Sequence, residues 1–186
     1  YIPLELVGRD DKILDLASIF STIISPETSC NALITGPVGS GKTALAKVFA
    51  KDIKDNYSRK RKISYLHINC RNHSTTTQVL HRIITSLEPR YPVRGLSSSE
   101  VLSSIRTILR NSNKHLLVIL DEVNYILRKE GNDILYNLLR IDEDKDGQGT
   151  ISLILISQEE ILNSLEGAVI SRLGAGNHLR FSSYSR

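Results

Sequence analysis

Residues 36–43 read Gly36-Pro37-Val38-Gly39-Ser40-Gly41-Lys42-Thr43, which places three glycines, a lysine and a hydroxyl in the spacing of a phosphate loop. Glycine lets the backbone curl until successive N–H groups converge on phosphate oxygens, and a helix starting there points its positive end at the same anion. Lys42 would neutralise the terminal phosphates, and the Thr43 hydroxyl would ligate magnesium. The nucleotide contacts are therefore read as Gly36, Pro37, Val38, Gly39, Ser40, Gly41, Lys42, Thr43 and, at the head of the following helix, Ala44, with ATP or ADP and Mg2+ as the ligands. A glycine-rich turn that binds nothing is the bland alternative, and it leaves the acidic partner described next without a purpose.

That partner is Asp121-Glu122, directly after the apolar run Leu116-Leu117-Val118-Ile119-Leu120. Two carboxylates at the carboxyl end of a buried strand sit where phosphate loops also lie in parallel sheets. Asp121 would hold hydrated magnesium, which leaves Glu122 to orient and polarise the attacking water as the base. Acidic residues also simply terminate strands, so the pair gains its meaning from the loop.

The elements that must position these residues follow from periodicity. Ile13, Leu16, Ala17, Phe20, Ile23 and Ile24 recur at helical spacing after Asp10, an N-cap residue type, and predict a helix over about 10–25. Residues 31–35 form a short apolar strand ending on Gly36, and Ala44, Leu45, Val48 and Phe49 open an amphipathic helix. Residues 63–69 alternate as a second strand. Two helices follow, one carrying Val79, Leu80, Ile83, Ile84 and Leu87, the other opening with the capping box Ser97-x-x-Glu100. Further strands are expected at 116–120, 151–156 and 178–181, with a helix carrying Ile134, Leu135, Leu138 and Leu139 between the first two. Strands alternating with helices over connections too long for hairpins predict an α/β fold with a parallel sheet covered on both faces.

Composition agrees with one domain: 186 residues, 40% hydrophobic and 24% charged. The chain begins at Tyr1, contains no methionine and stops in a polar run, which reads as a piece of something longer. No apolar run approaches the roughly 20 residues of a membrane span, and no secretion signal opens the chain, so no membrane partner is expected. Cys30 and Cys70 fall in apolar segments and read as reduced structural thiols. A net charge of +4 permits attraction to nucleic acid without requiring it.

Taken together, these motifs resemble the AAA+ replication initiators of the origin recognition complex and cell division control protein 6 family, especially its archaeal members. The resemblance rests on the order of the opening Tyr1-Ile-Pro-Leu-Glu-Leu-Val-Gly-Arg-Asp10, His67-Ile-Asn-Cys-Arg71, Pro92-Val-Arg-Gly95, Asp121-Glu-Val123, and Leu135-Tyr136 followed by Leu139-Arg140. It implies a P-loop AAA+ three-layer sandwich whose five-stranded parallel sheet has the order 5-1-4-3-2, with residues 1–186 as the ATPase base. It further implies that Leu4, Val7 and Arg9 wrap the adenine. Residues 74–109 would be the initiator-specific helical insertion, with Arg90, Tyr91 and Arg94 as contacts to double-stranded origin DNA. An exposed polar loop would look the same in sequence.

By the same resemblance Gln158 takes the sensor-one position, usually asparagine, and Arg172 in Ser171-Arg172-Leu173 is an arginine finger for a neighbouring subunit or else a surface residue. Asn124 stands where relatives often carry aspartate, and Ala168 where many carry arginine. A helical lid and a winged-helix domain would follow Arg186. Other initiator subunits and a replicative helicase are the implied partners, in a cytoplasm if archaeal or a nucleus if eukaryotic.

Three patterns look chemical and are read as structural. Asp142-x-Asp144-x-Asp146-Gly147 imitates a calcium loop, but its twelfth position is Leu153 in an apolar run, where a glutamate is needed. His67, Cys70 and His73 lack a fourth metal ligand. The run Arg59-Lys60-Arg61-Lys62 reads as a solvated loop, with DNA contact or an import signal as the sharper alternatives. The expected function is an ATP-controlled, slowly hydrolysing DNA-binding switch. Its rivals are a protein-remodelling or signalling ATPase without DNA contact, a small-molecule phosphotransferase, and a pure nucleotide-binding module.

Overall fold

The computed structural model describes residues 10–23, 25, 28–57, 59–141, 149–158, 161–174 and 176–182. The opening segment with Leu4, Val7 and Arg9, the side chain of Asp10, and the acidic stretch 142–148 lie outside the described residues. In chain order the elements are α1 (Asp10–Ile19), β1 (Ala32–Thr35), α2 (Lys42–Tyr57), β2 (Lys62–Asn69), α3 (Thr76–Leu87), α4 (Ser98–Arg110), β3 (Lys114–Asp121), α5 (Asn124–Glu130), α6 (Asp133–Leu139), β4 (Thr150–Ser157), α7 (Gly167–Leu173) and β5 (His178–Arg180). A 3₁₀ turn, Ile161–Ser164, precedes α7.

The strands form one sheet of order β2-β3-β4-β1-β5, every neighbouring pair parallel. This is the predicted 5-1-4-3-2 order. The strands alternate as the pleat requires. Leu116, Val118 and Leu120 pack with α3 to α7 on one face, while Leu117 and Ile119 pack with α1 and α2 on the other. Both faces are dry, which is why β3 and β4 read as continuous apolar runs.

Helix α1 stops at Ile19, six residues short of the expected end. Phe20 N still donates to Leu16 O, but Ser21 and Ile23 make the tighter bonds to Ser18 and Phe20. Thr22 Oγ1 lies 3.6 Å from Cys30 Sγ in this turn. The apolar pattern continued past the helix because Phe20 and Ile23 are buried in the turn as well. Periodicity also passed over α5 and α7, which bury only Ile126 and Leu127, and Val169 and Leu173, whereas the equally short α6 buries four apolar residues.

Helices α3 and α4 pack on each other and each starts with a capping box. Ser97 N donates to Glu100 Oε2 at 2.6 Å and Glu100 N to Ser97 Oγ at 3.2 Å, as the spacing predicts, and Thr75 with Gln78 repeats the device. Such a cap is worth about 1 kcal/mol.

The basic run is divided by the fold. Arg59, Lys60 and Lys62 are exposed, but Arg61 is buried and its Nη1 donates to the carbonyls of Ile23 at 2.7 Å, Ser25 at 3.1 Å and Thr28 at 2.9 Å. Arg61 Nη2 also meets Thr150 Oγ1. Arg61 therefore clamps the chain after α1 onto the start of β4, and the solvated-loop reading holds only for its neighbours. Cys30 and Cys70 are both free and buried. Among the described residues no helix is long and apolar enough to cross a membrane.

Candidate nucleotide-binding site

The phosphate loop leaves the carboxyl end of β1, and α2 begins at its lysine. Gly36, Gly39 and Gly41 have φ of 153°, 78° and 88°, values that side chains rarely tolerate. At Gly36 there is a second constraint: an added Cβ would lie 2.7 Å from the carbonyl oxygen of Phe181. Phe181 is held there because its N–H donates to Thr35 O at 2.7 Å, so the end of β5 roofs the start of the loop. Gly36→Ala is expected to destabilise the fold by about 1–3 kcal/mol, read as a lower denaturant midpoint. An unchanged midpoint would show that the segment after β5 yields.

Lys42 is 9% exposed, and its Nζ donates to Gly36 O at 2.6 Å and Pro37 O at 2.7 Å. Burial lowers its pKa, and the charges of Asp121 and Glu122 oppose that shift. Ser40 Oγ donates to Pro37 O at 2.7 Å, which tightens the same turn. Val38, by contrast, stands 78% exposed at the loop's tip.

Asp121 ends β3 beside the loop. Its Oδ2 accepts the Thr43 hydroxyl at 2.7 Å and lies 2.9 Å from His67 Nε2, and its Oδ1 accepts the Glu122 N–H at 2.9 Å. Burial alone would raise its pKa. The hydrogen bonds from His67, Thr43 and the Glu122 amide, with the imidazole's charge, hold it below the ordinary aspartate value. A hydroxyl and an ionised carboxylate side by side form an oxygen donor pair suited to a hard cation such as Mg2+.

Glu122 has φ of 50°, the one described non-glycine residue with positive φ. Such a backbone costs of order 1–3 kcal/mol and persists only where neighbours impose it. Here the Asp121 carboxylate fixes its N–H, and the next residue, Val123, donates to Ile156 O on β4 at 3.0 Å. The turn so made places Glu122 off the strand, where it lines the cleft.

The cleft, about 410 Å³, is lined by Val38, Gly39, Lys42, Thr43, Lys47, His67, Asn69, Asp121, Glu122, Ile156, Ser157 and Gln158. The structure thus brings Lys42, Thr43, Asp121, Glu122 and Gln158 together as expected. Gln158 follows directly on β4. Asn124 accepts a hydrogen bond from Ser157 Oγ at 3.4 Å and so joins the start of α5 to the end of β4.

Arg172 does not line this cleft. It lies on α7, exposed, with its guanidinium 5.8 Å from the Tyr136 ring, beside Arg140, whose Nη1 donates to the Tyr136 hydroxyl at 2.8 Å. Arg90, Tyr91 and Arg94 share the connection between α3 and α4. Both arginines are exposed, whereas Tyr91 is half-buried against the core and its hydroxyl donates to Ser104 Oγ. His67, Asn69 and Lys47 line the cleft without having been expected there. The alternation of β2 carried the signal for the first two, since residues 67 and 69 must share a face.

The family model described as AAA domain matches residues 27–165. The chain belongs to this AAA domain family. Among proteins similar to this AAA domain, ORC1-type DNA replication protein 2 of Saccharolobus solfataricus is 35% identical over 164 residues, 86% of the chain and 40% of that protein. The ORC1-type DNA replication protein of Thermococcus kodakarensis is 31% identical over 180 residues, 93% of the chain and 43% of that protein. The chain therefore spans less than half the length of the curated relatives it matches. In three dimensions it is similar to the Aeropyrum pernix ORC1 protein solved in complex with DNA, at TM-score 0.82 and 26% identity over 95% of this chain and 46% of that one. The Aeropyrum pernix ORC2 protein, solved as ADPNP–ADP complexes, gives TM-score 0.84 and 26% identity over 99% of this chain and 50% of that one.

Proposed function

We propose that this AAA domain is the ATP-binding and slowly hydrolysing base of a DNA replication initiator, in which nucleotide state governs engagement of double-stranded origin DNA. The observation that carries the reading is the meeting of Lys42, Thr43, Asp121 and Glu122 in one cleft of a chain similar to ORC1-type proteins. The loop amides and the Lys42 ammonium bind the phosphates. Thr43 and Asp121 are the residues that would hold Mg2+, which when bound neutralises charge on the β- and γ-phosphates. Glu122 orients the attacking water and takes its proton, and the Gln158 amide steadies that water. Leu4, Val7 and Arg9 would enclose the adenine, and Arg172, outside its own cleft, would serve the nucleotide of a neighbouring initiator subunit.

The helical pair within 74–109 is the DNA-contacting insertion in this reading, and its attachments support communication with the nucleotide. Arg82 Nη2 on α3 donates to His67 O at 3.3 Å. Thr76 N donates to Glu130 Oε1 at 3.2 Å and Lys129 Nζ to Ser74 Oγ at 3.3 Å, which ties the start of α3 to the end of α5, the helix directly after Asp121-Glu122-Val123. A replicative helicase is the expected downstream partner, and the cytoplasm the expected setting for an archaeal-type initiator.

The test is binding of the protein to duplex DNA across a salt series, with ATP or with ADP, beside an Arg90→Ala/Arg94→Ala double variant. Loss of two phosphate contacts should weaken binding and flatten the slope of log K against log salt by about 2. Tyr91, pinned to Ser104, is expected to matter through the shape of the turn. DNA binding that the double variant leaves intact would remove these arginines from the interface. Absence of DNA binding in every condition would favour an ATPase acting on proteins.

A further inference from the structure

We propose that His67 is a positioning residue for the metal-binding carboxylate: its imidazole holds Asp121 Oδ2 in the orientation that Mg2+ binding requires. The proposal rests on the nucleotide-site reading given above and adds to it a residue from β2, the edge strand that pairs with β3.

The geometry begins with strand register. β2 pairs with β3 so that His67 lies opposite Ile119 and Asn69 opposite Asp121. Alternation sends Ile68 into the core, 1% exposed, and turns His67 and Asn69 toward the cleft. His67 Nε2 then lies 2.9 Å from Oδ2, the same oxygen that accepts the Thr43 hydroxyl at 2.7 Å. An ionised carboxylate can only accept, so Nε2 donates in this contact. The other oxygen, Oδ1, is fixed by the Glu122 amide. Three donors, one on α2, one on β2 and one in the turn directly after Asp121, thus hold both oxygens of one carboxylate.

The three donors differ in what they do once a cation arrives. Thr43 must commit an oxygen lone pair to the metal, and the Glu122 amide belongs to the strained turn that aims the base. His67 has no such second duty among its contacts. It is set in a strand, its side chain is 22% exposed, and its carbonyl accepts Arg82 of α3. A ligating carboxylate whose outer partner is removed loses orientation, and changes of this kind typically cost 10–100-fold in metal affinity.

The experiment is titration of a fluorescent ATP analogue into the wild-type protein, His67→Leu and His67→Gln, each in excess EDTA and across a Mg2+ series, with thermal unfolding of each variant alongside. For His67→Leu the Mg2+ concentration at half-effect should rise about 10-fold or more, while affinity in EDTA stays within about twofold, because phosphate contacts to the loop remain. His67→Gln should recover most of the loss, because its amide nitrogen lies as far along the side chain as Nε2 and donates in the same way. Equal losses with and without Mg2+ would make His67 a packing residue and overturn the proposal, as would an unchanged Mg2+ dependence in His67→Leu. If the wild-type protein binds no nucleotide in either condition, the nucleotide-site reading itself fails and this inference falls with it.

Discussion

Replacing Glu122 by glutamine is expected to lower ATP turnover by about 10²- to 10⁴-fold, the usual contribution of a positioned general base, while nucleotide binding persists. Glutamine preserves the shape, and it keeps the backbone N–H that Asp121 Oδ1 holds at φ 50°. What is removed is the ability to accept the proton of water as it attacks. Thr43, Asp121 and the glycine loop, to which the proposed function gives the metal and the phosphates, are untouched, so bound ATP should accumulate. Phosphate release under single-turnover conditions, beside equilibrium binding of the same variant, separates the two effects. Turnover unchanged from wild type would mean that Glu122 is not the base, and bound ATP left intact by both proteins would make the cleft a binding module that retains nucleotide.

Lys42→Ala should act one step earlier and weaken ATP binding by about 100-fold. Lys42 Nζ makes two short bonds to the carbonyls of Gly36 and Pro37, which places a charged donor at the centre of the loop. Each charge-assisted bond it would make to phosphate is worth about 1.5–3 kcal/mol, and about 1.4 kcal/mol corresponds to tenfold in affinity. Alanine also removes the Lys42 donor from the Gly36 carbonyl, while Pro37 O keeps the Ser40 hydroxyl, so the variant should lose some stability even without nucleotide. Calorimetric titration of ATP together with thermal unfolding distinguishes these losses. Wild-type affinity in the variant would remove Lys42 from phosphate binding altogether.

The residues of these two predictions were legible because their chemistry is local in sequence. Eight consecutive residues make the loop, two consecutive carboxylates make its acidic partner, and each follows an apolar strand whose burial needs no long-range information. The same holds for the capping box at Ser97 and Glu100, which closes within three residues. The sheet order came from the resemblance, and the alternation of core residues along β3 confirmed which neighbours lie on each face.

Other parts of the site were decided by pairing across the sheet. His67 and Asp121 are 54 positions apart, and only the register of β2 on β3 shows that one imidazole and one carboxylate meet. Gly36 is constrained by Phe181 and Asn124 is bonded to Ser157, contacts that span elements with no shared local pattern. Arg61 shows the same division, since four clustered bases look alike in sequence while the fold buries one of them as a clamp. Sequence alone determined where the phosphate loop and the acidic pair stand, because short-range spacing sets which groups share a turn or a strand face. Tertiary structure alone decided which side chain orients Asp121 and why Glu122 takes a strained backbone, because those depend on the register with which separate strands meet.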